Sequence, residues 1–140
     1  MLSKPENILS QVKYAPTGVD EQVGIIMMNK EEQMSTISLT LHSKQPKRAV
    51  IACEKAYIEI TEYPRADKAK IVYTETGEIE EIIEGLTENA LQYELQNMEM
   101  SVKTGINMMK LEFTKDVMEI MTNLRNKWGM TYPEEEVFIK

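Results

Sequence analysis

Three kinds of side chain in this sequence could do chemistry: one histidine, His42, one cysteine, Cys53, and an abundance of carboxylates. His42 has no second histidine with which to ligate a metal, and a Ser-His-Asp arrangement would need two partners placed around it. Either site would have to be assembled almost entirely from carboxylates. No Asp or Glu pair stands in an apolar setting that would raise one pKa and separate an acid from a base. Cys53 closes the apolar run RAVIAC. A lone thiol can neither staple a fold nor complete a zinc site, so it reads as a small buried core residue. No G-x-G-x-x-G and no G-x-x-x-x-G-K-[ST] occurs, so no recognisable loop cradles a phosphate. Residue types and spacings therefore describe a binding or assembly domain without a reaction of its own.

Charge narrows the partners. A net charge of −7 argues against nucleic acid, whose binding draws on clustered Lys and Arg. Glu78, Glu80, Glu81 and Glu84, and the tail group Glu134, Glu135 and Glu136, read as solvated positions that favour solubility. Hydrophobic residues make up 42% and charged residues 28%, with no apolar run long enough to cross a membrane. The opening MLSKPENILSQ has neither a basic start nor a continuous apolar stretch, so no signal peptide is expected and the cytoplasm is the expected location. A chain of 140 residues is expected to form a single domain, 1–140.

The elements follow from periodicity. In GVDEQVGIIMMNKEEQMSTISLTLHS, residues 18–43, Val19, Val23, Ile25 and Met27 fall on one parity, and Ile37, Leu39 and Leu41 do the same on the return. This alternation predicts a long antiparallel hairpin turning at Asn29, Lys30, Glu31 and Glu32. Alternation also predicts strands over 6–14, 48–53, 57–61, 68–74 and 78–83. They are separated by Pro16 and Gly18, Gln45-Pro46, the loop Pro64-Arg65-Ala66-Asp67, and Glu75-Thr76-Gly77. That is about seven consecutive strands in one open, mostly antiparallel sheet. After Gly85 the period becomes helical. Leu91, Leu95, Met98 and Val102 mark a helix from about Glu88 to Thr104, ended by Gly105. Val117, Met121, Leu124 and Trp128 mark a second, with Thr114 expected as N-cap, Asp116 in its first turn and Gly129 at its end. Strands first and helices last predict an α+β fold with both helices packed on one face. The eleven methionines are expected to fill gaps in the core.

Certain stretches carry a resemblance. T-G-V-D-E-Q at 17–22, K-A-Y-I-E-I at 55–60 and V-M-E-I-M-T-N-L-R-N-K-W-G-M-T-Y-P at 117–133 resemble the carboxyl-terminal part of the glucose-fructose oxidoreductase, inositol dehydrogenase and rhizopine-catabolism (Gfo/Idh/MocA) family. Its dihydrodiol dehydrogenase-like members look most similar. The resemblance covers nearly the whole chain, and the ending W-G-x-x-Y-P is its most specific part. It implies a parent protein with an amino-terminal Rossmann domain for NAD or NADP and a carboxyl-terminal open antiparallel sheet. It also implies a catalytic lysine in an E-K-P motif and a partner in D-x-x-x-H or D-x-x-x-Y. Here Glu54-Lys55 is followed by Ala56, and Gly24, Ile71 and Ile120 stand four residues beyond Asp20, Asp67 and Asp116. No catalytic, cofactor-binding or metal residue carries over, so the chain alone is expected to be inactive and to bind no nicotinamide.

Two classes of function remain. One is the substrate-side and oligomerisation domain of such an oxidoreductase, acting on a sugar-like or diol hydroxyl. The other is a free-standing sheet protein that binds a small ligand or a partner. If both helices cover the parity of Ile25, Ile37, Leu39, Ile58 and Ile60, the opposite face carries Met34, Thr36, Ser38, Thr40, His42 and Tyr57. Small hydroxyl side chains leave a face flat enough for another sheet to approach, and the resemblance implies association through it. A homodimer through that face is the expected assembly.

Overall fold

A computed structural model describes residues 3–63, 65–107 and 110–132. The expected positions Pro64, Pro133 and Glu134 to Glu136 lie outside them. The described chain is α+β, with seven antiparallel strands in two open sheets and two helices. By its contacts the chain forms two compact units, one from Met1–Lys44 with Lys110–Lys140 and one from Gln45–Met109.

In the first unit, β1 (Pro5–Tyr14), β2 (Asp20–Asn29) and β3 (Met34–Thr40) form a sheet with β2 at its centre. Val12 and Leu39 flank Val23, and Ser10 and Ile37 flank Ile25, so the alternation expected for the hairpin is realised in its register. Against this face lies a helix, residues Leu111–Lys127, called α2 here because another precedes it in the chain. Val23, Ile25 and Leu124 are buried together, with Ile8, Val12, Met27, Ile37, Ile120 and Trp128 packed around them. The Trp128 indole Nε1–H donates to Ser10 Oγ at 3.0 Å, and the Tyr14 hydroxyl donates to the Trp128 carbonyl at 2.6 Å. Lys4 reaches both Asp116 (3.2 Å) and Glu119 (2.7 Å), fastening the start of the chain to the outer face of α2.

The end of α2 is as the sequence predicts and its start is not. Gly129 takes the left-handed conformation at φ 65°, its N–H bonding the Asn126 carbonyl while Met130 N–H bonds that of Arg125. This paired closure satisfies the last carbonyls of the helix. The helix begins at Leu111, however, with Lys110 at its N-cap position and no side-chain cap bond, so Thr114 lies inside the helix. An acidic Glu112 in the first turn favours the dipole there without a capping hydroxyl.

In the second unit, β4 (Arg48–Ala52), β5 (Ala56–Thr61), β6 (Lys68–Tyr73) and β7 (Ile79–Ile83) form a meander in chain order. Gly77 sits at φ 71° in the last turn and its N–H bonds the Tyr73 carbonyl, as a tight hairpin requires. After a single 3-10 turn, Thr87–Asn89, comes α1 (Ala90–Thr104), ended by Gly105 at φ 69°. No described residue of this unit is buried.

Three expectations meet a different outcome here. The seven strands divide between two sheets because β3 and β4 do not pair. The Thr40 hydroxyl accepts N–H bonds from His42 and Ser43, and Pro46 follows without an N–H of its own, so the ladder cannot continue across this segment. Of the two helices, α2 covers a sheet face, whereas the α1 stripe stands exposed: Leu91 60%, Leu95 70%, Met98 61% and Val102 78%. Cys53, expected in the core, is an exposed free thiol. It falls in the turn after β4, where its N–H bonds the Ala56 carbonyl, and this unit has no closed core to receive it.

Candidate functional site

The residues expected to form an interface separate into three settings. Met34, Thr36, Ser38 and Thr40 lie on β3, opposite Met28, Ile26, Gly24 and Gln22 of β2. These pairs have the opposite parity to Val23 and Ile25, so they make the face turned away from α2. Leu9, paired with Ile26, adds to it from β1. The result is an apolar end, with Leu9, Ile26 and Met34 exposed, beside a band of small uncharged side chains and the bare backbone of Gly24. His42 lies past the end of β3, with Nδ1 3.0 Å from Glu21 Oε1, while Lys13 Nζ is 3.0 Å from the other oxygen. The carboxylate thus stands between two cationic or donor groups, and Thr40, the hydroxyl next to them, is occupied by backbone N–H groups. Imidazole and carboxylate are paired there, but the hydroxyl beside them is not poised as a nucleophile. Tyr57 belongs to β5 of the second unit.

The two faces of the second sheet differ in how they mix charge with apolar side chains. Ala49, Ile60, Ala69 and Ile82 align across it in register on one face, and Ile51, Ile58 and Ile71 do so beside them in a row that ends on Glu80. The other face carries Arg48, Glu59, Lys70 and Glu81, with ion pairs Arg48–Glu59 at 3.7 Å and Lys70–Glu81 at 3.4 Å, and beside them Val50, Tyr57, Val72, Ile79 and Ile83. The ion pairs are suited to water, whereas the isoleucine rows are of the type that other proteins cover. Nothing in the alternation of single strands distinguished a covered isoleucine face from an uncovered one.

Among the described residues, three groups have perturbed titrations. Hydrogen bonds to Glu119 and then Asp116 raise the Lys4 ammonium above its usual value. The Ser3 hydroxyl, donating to Glu31, lowers that carboxyl. Tyr73 is raised because its hydroxyl donates to Glu80 at 3.1 Å and the carboxylate opposes a phenolate. All three are exposed fastenings between elements, not members of a cleft. Among the described residues no three His, Cys, Asp or Glu are grouped to hold a metal ion, and no helix is long and apolar enough to cross a membrane. In comparisons with known proteins, no family model matches the chain and no curated protein matches it.

Sequence reasoning missed Asn29. Expected in an exposed turn, it is 6% exposed, and its Oδ1 accepts the N–H groups of Glu31 (3.1 Å) and Gln33 (2.8 Å). An Asx residue before a charged run was the available signal.

Proposed function

We propose that the chain is the substrate-side and dimerisation part of an NAD- or NADP-dependent oxidoreductase for a sugar-like or diol hydroxyl, its cofactor domain and catalytic residues supplied by another part of a parent protein. The observation that supports this reading most is the second unit: an open antiparallel sheet with an isoleucine face and a helix with an apolar stripe, in which no described residue is buried. Such a unit is a component that expects cover. The stretches at 17–22, 55–60 and 117–133 supply the resemblance that names the kind of parent.

In this reading the face of Met34, Thr36, Ser38 and Thr40 meets its copy about a twofold axis, and a stable contact of that kind buries on the order of 800 Å² per partner. Sedimentation at micromolar concentration tests the assembly. A species of twice the 16.1 kDa chain is expected, and Ser38→Arg should return it to the monomer with its circular dichroism intact. A wild-type chain that stays monomeric ends the dimer. The oxidoreductase part is tested separately by reading the coding sequence upstream of Met1. An in-frame G-x-G-x-x-G domain supports it, and a stop codon in its place leaves the free-standing binding protein as the better reading.

A further inference from the structure

The first unit contains a cleft of about 360 Å³ between α2 and the sheet, a size within the range of small-molecule sites. Its floor is Val23, Ile25 and Leu124, all buried, and its rim includes Leu39, Met121 and Tyr132, which are exposed. The methionines expected to fill the core are divided here: Met130 is buried, whereas Met118 and Met121 line the cleft and face water. Trp128 forms part of the wall. An apolar floor continued by an apolar rim gains free energy when an apolar body displaces water from it.

Two charged side chains border the cleft, and they are engaged differently. The Arg125 guanidinium lies over the Tyr132 ring, 5.1 Å from its centroid. Asp20 also lines the cleft, and its carboxylate has no hydrogen-bond or ion-pair partner among the described residues. A carboxylate lining the same cleft as an indole and polarisable thioethers is complementary to a cationic head: the carboxylate offers a charge-assisted bond, and aromatic faces attract ammonium groups. The geometry points to a binding site for an amphipathic amine, with its apolar body against Val23, Ile25 and Met121 and its ammonium on Asp20. The chain's net charge of −7 favours the approach of such a cation.

Trp128 is the sole tryptophan, so its fluorescence reports on this cleft directly. Hexylamine, hexanoate and hexanol share a body and differ in the head group, and each is titrated into the full chain. Saturable change is expected with hexylamine at concentrations about tenfold below those needed for hexanoate or hexanol, the difference made by one charge-assisted contact. Asp20→Asn, which keeps the shape of the side chain, should remove that preference while leaving the hexanol response unchanged. Equal responses to all three probes overturn the proposal, as does a preference for hexanoate, which would assign the head-group site to Arg125. Absence of saturation up to about 10 mM overturns it too, because such weak binding is not a site. Calorimetry on the same series separates binding from quenching. Heat without a fluorescence change places the amine elsewhere and also sinks the idea.

Discussion

Asn29 is the buried polar residue of the first unit's described chain, and its contacts are all local. One buried side chain closes the β2–β3 turn by accepting two backbone N–H groups and donating to Gln33 Oε1 at 2.7 Å, while Glu32 adopts a positive φ of 61°. Asn29→Ala would leave both N–H groups without that acceptor, and a loss of about 2 kcal/mol is expected in urea unfolding. A change near zero would mean water replaces the amide. The Tyr73–Glu80 contact makes a prediction in pH. The folded phenol is raised above its usual 10.0, so the contact stabilises the fold fully below pH 10 and is lost as pH rises through the folded value. Titrating wild type against Tyr73→Phe by tyrosinate absorbance should assign to Tyr73 a step above the usual phenol value. Glu80→Gln should move that step down, and an unmoved step would mean Glu80 is not its cause.

At the scale of elements, glycines distinguish backbone demands from empty space. Gly129 closes α2 in the left-handed region, where a Cβ is strained even though nothing lies within 4 Å of it. Gly129→Ala should therefore cost about 1 kcal/mol. Gly24 is also open on the outer sheet face, but its backbone is extended, so Gly24→Ala should be neutral or stabilising by about 0.5 kcal/mol through the unfolded chain. Thermal unfolding of the two variants side by side checks the pair. Equal losses would show that space, not φ, governs both. Gly129 was legible as the end of a helix, whereas nothing in the sequence marked Gly24, and the backbone angles separate the two.

At the scale of the molecule, the two units differ in what protects them. The first has a buried cluster on β2 and α2, and the second has no buried described residue. Hydrogen exchange on dilute protein should therefore find the amides of Val23 and Ile25 slowest, and those of Ile58, Ile60 and Ile71 faster despite their place in central strands. Raising the concentration should slow the second group if another copy covers its sheet. Slow exchange at β5 and β6 in dilute monomer would show that the sheet holds by itself.

Period-two alternation in residues 18–43 and again after Arg48, the change to a helical stripe after Gly85, and glycines at 77, 105 and 129 determined the seven strands, two helices and their ends, because each depends on neighbours a few residues away. The same local information placed Thr114 as a cap, Cys53 in a core and both helices on one sheet. Those were decided at longer range. A Leu124 stripe found Val23 and Ile25 and became a core, while an equally good stripe at Leu91, Leu95, Met98 and Val102 found no face and stayed in water. Amphipathicity states that a surface wants a partner, and only the path of the backbone through space determines whether one is there. The cleft lined by both Asp20 and Trp128, more than a hundred residues apart along the chain, is a product of the same long-range closure.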